Sequence, residues 1–119
     1  MEIKHRFTNA VIFDGENLSG ANLRRANFYA KDLRGLDLSS ADLSGADLGN
    51  ADLQGANLAG CDFTNANLSG ADFFKANLTN VNFSHANLRN ADLREAETYG
   101  ANFRYANIDG IIFSPHQCI

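Results

Sequence analysis

The sequence predicts an all-β solenoid, a single shaft of short extended steps broken by corners. Three observations carry the prediction. A five-residue register runs from Phe13 to Phe113 without insertion or deletion. Its central position is Leu, Phe or Ile at 20 of 21 sites, with only Thr98 departing. Two residues beyond the centre, from Gly15 to Gly110, 13 of 20 sites are Gly or Asn. A helix is rejected because five residues rotate it by about 500°, which scatters the apolar centres and puts Gly or Asn on almost every turn.

Each position of the repeat has its own physical reason. Two residues before the centre, from Ala21 to Ala106, 14 of 18 sites are Ala, so only a narrow space is available there; Lys31, Leu36, Cys61 and Val81 are the exceptions. The residue just before the centre, from Asn17 to Asn107, is Asp or Asn except at Glu97. Free alternation of acid and amide marks a hydrogen-bonding slot of turn and ladder, not acid/base chemistry or calcium binding. A plain strand alternates with period two, so a period of five needs a turn in every repeat. In Leu43-Ser44-Gly45-Ala46 the third residue of a type II turn must reach positive φ, which Gly or Asn reaches cheaply.

Repeats such as Ala41-Asp42-Leu43-Ser44-Gly45, Ala46-Asp47-Leu48-Gly49-Asn50 and Ala66-Asn67-Leu68-Ser69-Gly70 closely resemble the pentapeptide-repeat proteins, over roughly nine-tenths of the chain. The resemblance implies a right-handed, quadrilateral parallel β-helix with four repeats per coil and about five coils. It would form one domain over 1–119, with regular repeats at about 13–113 and a terminal cap on either side. Residues twenty apart would then stack at the ~4.8 Å spacing of paired strands. Leu23, Leu43, Phe63, Phe83 and Phe103 would fill one inner face, and Phe13, Leu33, Leu53, Phe73, Leu93 and Phe113 the next, with Leu48, Leu58 and Leu68 in the same core stack. Each coil buries its neighbour, which leaves the ends weakest.

The chain of 119 residues has no tryptophan, a single proline at Pro115 and a net charge of -4. Met1 to Arg6 lacks an apolar signal core and no apolar run approaches membrane length, so a soluble cytoplasmic protein without a membrane partner is expected. The resemblance also implies a bacterial source. Cys61 and Cys118 lie close to three coils apart, about 14 Å along the axis by strand spacing, too far for a disulfide. Cys61 is expected to replace Ala in the core, and Cys118 to be a free thiol near the terminus. His5, His85 and His116 are scattered, without a metal-ligand spacing that the repeat does not explain, and are assigned to the surface or the ends. No catalytic motif stands out, so the expectation is a non-enzymatic protein without cofactor, metal or direct nucleic-acid binding.

The outward positions carry what is left to read. From Gly35 to Phe74 there is no Lys or Arg, while Asp37, Asp42, Asp47, Asp52, Asp62 and Asp72 fall in that window. In one column the slot before the centre reads Asp32, Asp52, Asp72, Asp92, beside Arg34, Gln54, Phe74 and Arg94. Neighbouring carboxylates at ~4.8 Å repel by about 0.9 kcal/mol even in water, so a slot serving structure alone would drift toward Asn. Asp32, Asp52, Asp72, Asp92 and the outward Phe74 are therefore the candidate surface for an unidentified protein partner. The competing reading is repeat drift, with Arg34 and Arg94 compensating the charge.

Two other roles are open. Some members of the family resembled mimic duplex DNA and bind DNA gyrase, protecting it from quinolones, and the acidic window matches DNA locally. A net charge of -4 is far more dilute than DNA, and Arg24, Arg25, Arg34, Arg89, Arg94 and Arg104 break the field. The other role is assembly. Ile112 occupies an outward slot otherwise held by Asp or Asn, so Ile111, Ile112 and Phe113 form either a cap or the interface of an end-to-end homodimer; Phe7 and Ile12 do likewise near the start. The expected state is a monomer or such a dimer.

Overall fold

The computed structural model describes the backbone of residues 2–5 and 11–14 and, with side chains, residues 18–117. From residue 18 the chain climbs as a four-sided coil. Residues of the Asp/Asn slot pair in parallel with those twenty positions on, from Asn22 with Asp42 up to Asp92 with Ile112. Three bonds join one repeat to the next coil: Leu48 N–H donates to Asn67 C=O (2.7 Å), Asn67 N–H to Ala46 C=O (2.9 Å) and Asn50 N–H to Ser69 C=O (2.9 Å). A fourth closes the corner, from Ala51 N–H to Leu48 C=O at 3.0 Å. The corner residue is left-handed, at φ +68° for Gly45 and +54° for Asn50, as a type II turn requires.

This winding places every centre from Leu33 to Leu93 inside, at most 1% exposed, including Leu43, Leu48, Leu53, Leu58, Phe63, Leu68, Phe73 and Phe83. The small position lies inside as well, where Cys61 and Val81 are buried among the alanines. Shape adds to burial where phenyl rings meet. Phe63 and Phe83 stack at 5.6 Å, Phe83 and Phe103 at 5.0 Å, while Phe73 meets Phe63 and Phe83 edge-on at 6.4 and 6.1 Å. Offset stacks and edge contacts of this kind contribute about 0.5–1.5 kcal/mol beyond area burial.

The N-terminal end departs from the register. The spacing puts Phe13 at the foot of the Leu33 column, twenty residues below it. Instead β1 (Glu2–His5) lies between β2 (Val11–Asp14) and β3 (Lys31–Asp32), antiparallel to both. Ile3 is paired with Phe13, while Lys4 and His5 are paired with Asp32 and Lys31. An open coil leaves a row of unpaired N–H and C=O groups, and a strand folded back from the same chain satisfies them. Phe7 and Cys118 lie outside the described residues.

The C-terminal end is closed on one side only, among the described residues. The Gln117 amide donates to Leu93 C=O (2.6 Å) and Ala96 C=O (3.0 Å), and Ser114 Oγ accepts Glu95 N–H (3.1 Å). Apolar side chains nevertheless stay in the open in the last coil: Ile108, on another side, is 42% exposed, and on the capped side Phe113 above Leu93 is 49% and the outward Ile112 50% exposed. Ile111 is half-buried against the core.

Candidate functional site

The outward surface begins with the Asp/Asn slot. In repeat after repeat its Oδ1 accepts the backbone N–H two residues on, as Asp42 does from Ser44 (3.0 Å) and Asn67 from Ser69 (3.1 Å). One acceptor oxygen suffices, which is why acid and amide interchange. At Asp37 and Asp42 the residue two positions on is Ser, and its hydroxyl adds a second donor: Ser39 to Asp37 and Ser44 to Asp42, both at 2.7 Å. These donors hold the carboxyls of Asp37 and Asp42 below their ordinary value.

The four-aspartate column is brought together as a coil of four repeats requires, with Asp32, Asp52, Asp72 and Asp92 paired in succession. It is not a bare row of charge. Arg34 grips Asp32 with two bonds, Nε to Oδ1 at 2.9 Å and Nη2 to Oδ2 at 2.8 Å, and reaches Asp52 at 3.7 Å. Arg94 does the same to Asp92 at 3.0 and 2.7 Å. Those bonds lower the Asp92 carboxyl and raise both guanidiniums. Asp52, between the two pairs, is only 8% exposed and takes the Gln54 amide at 3.3 Å. Phe74 is half-buried, its ring beneath Arg94 (5.6 Å to the guanidinium carbon) and Lys75 (5.3 Å to Nζ). The resulting patch is a flat, ion-paired strip with one aromatic ring in its middle.

A second feature is absent from the sequence reading. Arg24 and Arg25 flank a concavity of about 230 Å³ whose other walls are Ser44, Gly45, Thr64 and Asn65. Arg24 stands 3.8 Å from Asp42, beyond hydrogen-bond range, and both side chains are well exposed. Among the described residues this side of the coil is the one where arginines (Arg24, Arg25, Arg104) outnumber carboxylates (Asp42, Asp62). The signal was available in the residues twenty positions apart, once lined up. Higher on the same corner His85 stacks on Tyr105 at 4.9 Å, with Arg104 over the Tyr105 ring at 5.3 Å. His116 is exposed.

Cys61 is buried, and its Sγ–H donates to Leu38 C=O at 2.8 Å; burial pushes its thiol up to about 12. Among the described residues there is no group of three His, Cys, Asp or Glu arranged to hold a metal, and no helix long and apolar enough to cross a membrane.

The sequence matches the family model described as pentapeptide repeats, in eight copies, over residues 6–45, 17–55, 41–80 and 76–114. A comparison with curated proteins finds no match. Among solved structures, a pentapeptide repeat protein from the Arabidopsis thaliana thylakoid lumen is 30% identical, with a TM-score of 0.81 over 86% of this chain and 71% of that one. A pentapeptide repeat protein of the cyanobacterium Cyanothece is 40% identical, with a TM-score of 0.69 over 71% of this chain. The chain spans 57% of that cyanobacterial protein's length. The register, the twenty-residue coil and these matches agree: the chain belongs to the pentapeptide-repeat family and has its right-handed quadrilateral β-helix.

Proposed function

We propose that this protein is a non-enzymatic scaffold whose rigid side, carrying Asp32, Asp52, Asp72, Asp92 and Phe74, binds a protein partner. The observation that carries the reading is the arrangement around Phe74, where an aromatic ring lies under Arg94 and Lys75 beside ion-paired carboxylates. Interfaces draw most of their affinity from a few aromatic and Arg anchors, and these are held in place before any partner arrives. The test is affinity capture with the native protein and with Phe74→Asp, both checked for folding by circular dichroism. A partner held by the native protein and lost by the variant supports the surface, and a partner that binds both equally removes it.

A duplex-DNA mimic directed at gyrase finds less support, because Arg34 and Arg94 offset half the charge of the column that would imitate phosphates. A cytoplasmic place remains part of the proposal; the similar plant protein comes from the thylakoid lumen, and fractionation of the source cells is the check.

End-to-end assembly is a second reading, favoured by the open apolar end at Ile108, Ile112 and Phe113. The molecule measures 35 × 25 × 20 Å, so abutting two ends would bury on the order of 1,000 Å² in total, at the lower bound for a specific interface. Light scattering would show a doubled mass that Ile112→Asp with Phe113→Asp halves; a native monomer at high concentration removes this reading.

A further inference from the structure

The Arg24–Arg25 corner is not explained by the turn it forms. Arg25 sits at φ +59°, where Gly or Asn is less strained, and the preceding position elsewhere on this side holds Ser44, Thr64, Ser84 and Arg104, the last of which lies over the Tyr105 ring. The two guanidiniums of the aspartate column are occupied: Arg34 and Arg94 each grip a carboxylate with two bonds. Arg24 has only a long, open contact with Asp42, and among the described residues no carboxylate pairs with Arg25. Gly45 lets them lie where they do, since a Cβ there would press on Arg25 Cγ at 3.3 Å. Below them lies the 230 Å³ concavity, and a second of about 440 Å³ shares both arginines and Asn22.

The polar groups around this space divide by type. Arg24, Arg25 and the Asn65 amide offer donors. The Ser44 and Thr64 hydroxyls give their protons to Asp42 and Asp62, at 2.7 and 2.5 Å, and so present lone pairs to the opening. A ligand that answers both needs an anionic head for two planar guanidiniums and hydroxyl donors on its body. We infer that this corner binds a small phosphorylated polyhydroxy compound, of the sugar-phosphate class, with the phosphate between Arg24 and Arg25 and the hydroxyls over Ser44 and Thr64. The space exceeds what a bare phosphate fills. Asp42 and Asp62 oppose the anion and water screens the exposed arginines, so the affinity expected is in the millimolar range.

The experiment follows backbone amide shifts of the whole chain by NMR, at low and moderate salt, with glucose 6-phosphate, inorganic phosphate and glucose added separately. Saturable shifts centred on Arg24, Arg25, Gly45 and Asn65 are expected with glucose 6-phosphate, weaker ones with inorganic phosphate and none with glucose. Arg24→Gln with Arg25→Gln should reduce the affinity by about tenfold or more, the loss of a charge-assisted bond, while Arg89→Gln on the adjoining side leaves it unchanged. Equal affinity for both phosphates overturns the hydroxyl-bearing ligand. Absence of saturation, shifts reproduced by sodium chloride at the same ionic strength, or unaltered binding by the arginine double variant overturns the site.

Discussion

Asn50 directs its Oδ1 at the backbone of Gly70 in the coil above, so closely that a methyl group on Gly70 would overlap it; Asn80 faces Gly100 and Asn90 faces Gly110 in the same way. Gly55 has the same left-handed backbone, φ +67° against +69° for Gly70, but nothing lies within 4 Å of where its Cβ would be. Strain alone therefore separates Gly55→Ala from the native chain, at about 1–2 kcal/mol. Gly70→Ala adds overpacking and should cost about 1–3 kcal/mol more. Asn50→Ala should recover most of that excess, because the obstacle is the asparagine amide. Urea midpoints of the native chain, Gly70→Ala, Asn50→Ala and their double variant, read as a double-mutant cycle, measure the coupling, and equal costs for Gly55→Ala and Gly70→Ala would refute it. Cys61 behaves as the substitution for Ala suggests, a buried thiol kept protonated by its surroundings.

At the scale of the repeat, the carboxylate slots make stability depend on pH in one direction. Hydrogen bonds from Ser39, Ser44 and Arg94 lower the folded-state values of Asp37, Asp42 and Asp92. A lowered folded value means that the stabilisation is complete above the ordinary carboxylate value of about 3.9 and is lost as pH falls through the folded one. The chain should resist urea equally well at neutral and mildly acidic pH and weaken only below about pH 4. Asp92→Asn should flatten part of that fall, since the amide keeps the N–H acceptor and drops the titration; an unchanged slope would show that the Arg94 pair contributes nothing. The slot itself was legible in the sequence, because Asn and Asp interchange wherever one acceptor oxygen is needed. The strand β1 was not legible: the five-residue register continues through Phe13, and nothing in periodicity reveals a strand folded back between β2 and β3. The Gln117 cap was hidden for a related reason, since one side chain reaching two carbonyls leaves no pattern. For the column, the alignment of Asp32, Asp52, Asp72 and Asp92 followed from the repeat once the family resemblance supplied four repeats per coil. The burial of Asp52 and the grip of Arg34 and Arg94 depend on rotamers that spacing does not encode.

As a whole molecule, the protein is a stack in which each coil is the floor of the next. A charge placed inside it has no paired neighbour and no route to water, so Leu68→Asp should abolish folding, while Ser69→Asp, one residue along on the outer side, should be tolerated. Circular dichroism and protease resistance of the two variants compare them directly, and a folded Leu68→Asp chain would mean that Leu68 does not face inward. The two ends differ in kind, one covered by an antiparallel strand of the chain itself and the other, among the described residues, held by Ser114 and Gln117 but exposed at Ile108, Ile112 and Phe113, which gives the shaft a polarity that its repeats lack. Everything drawn on its sides, the aspartate column and the arginine corner alike, assumes four repeats per coil. The most direct measurement is the set of backbone nuclear Overhauser contacts in a uniformly labelled sample. Contacts between residues four repeats apart, Asp47 with Asn67 and Asn67 with Asn87 among them, are predicted along the shaft; contacts instead between residues three or five repeats apart would contradict it and dissolve both surfaces.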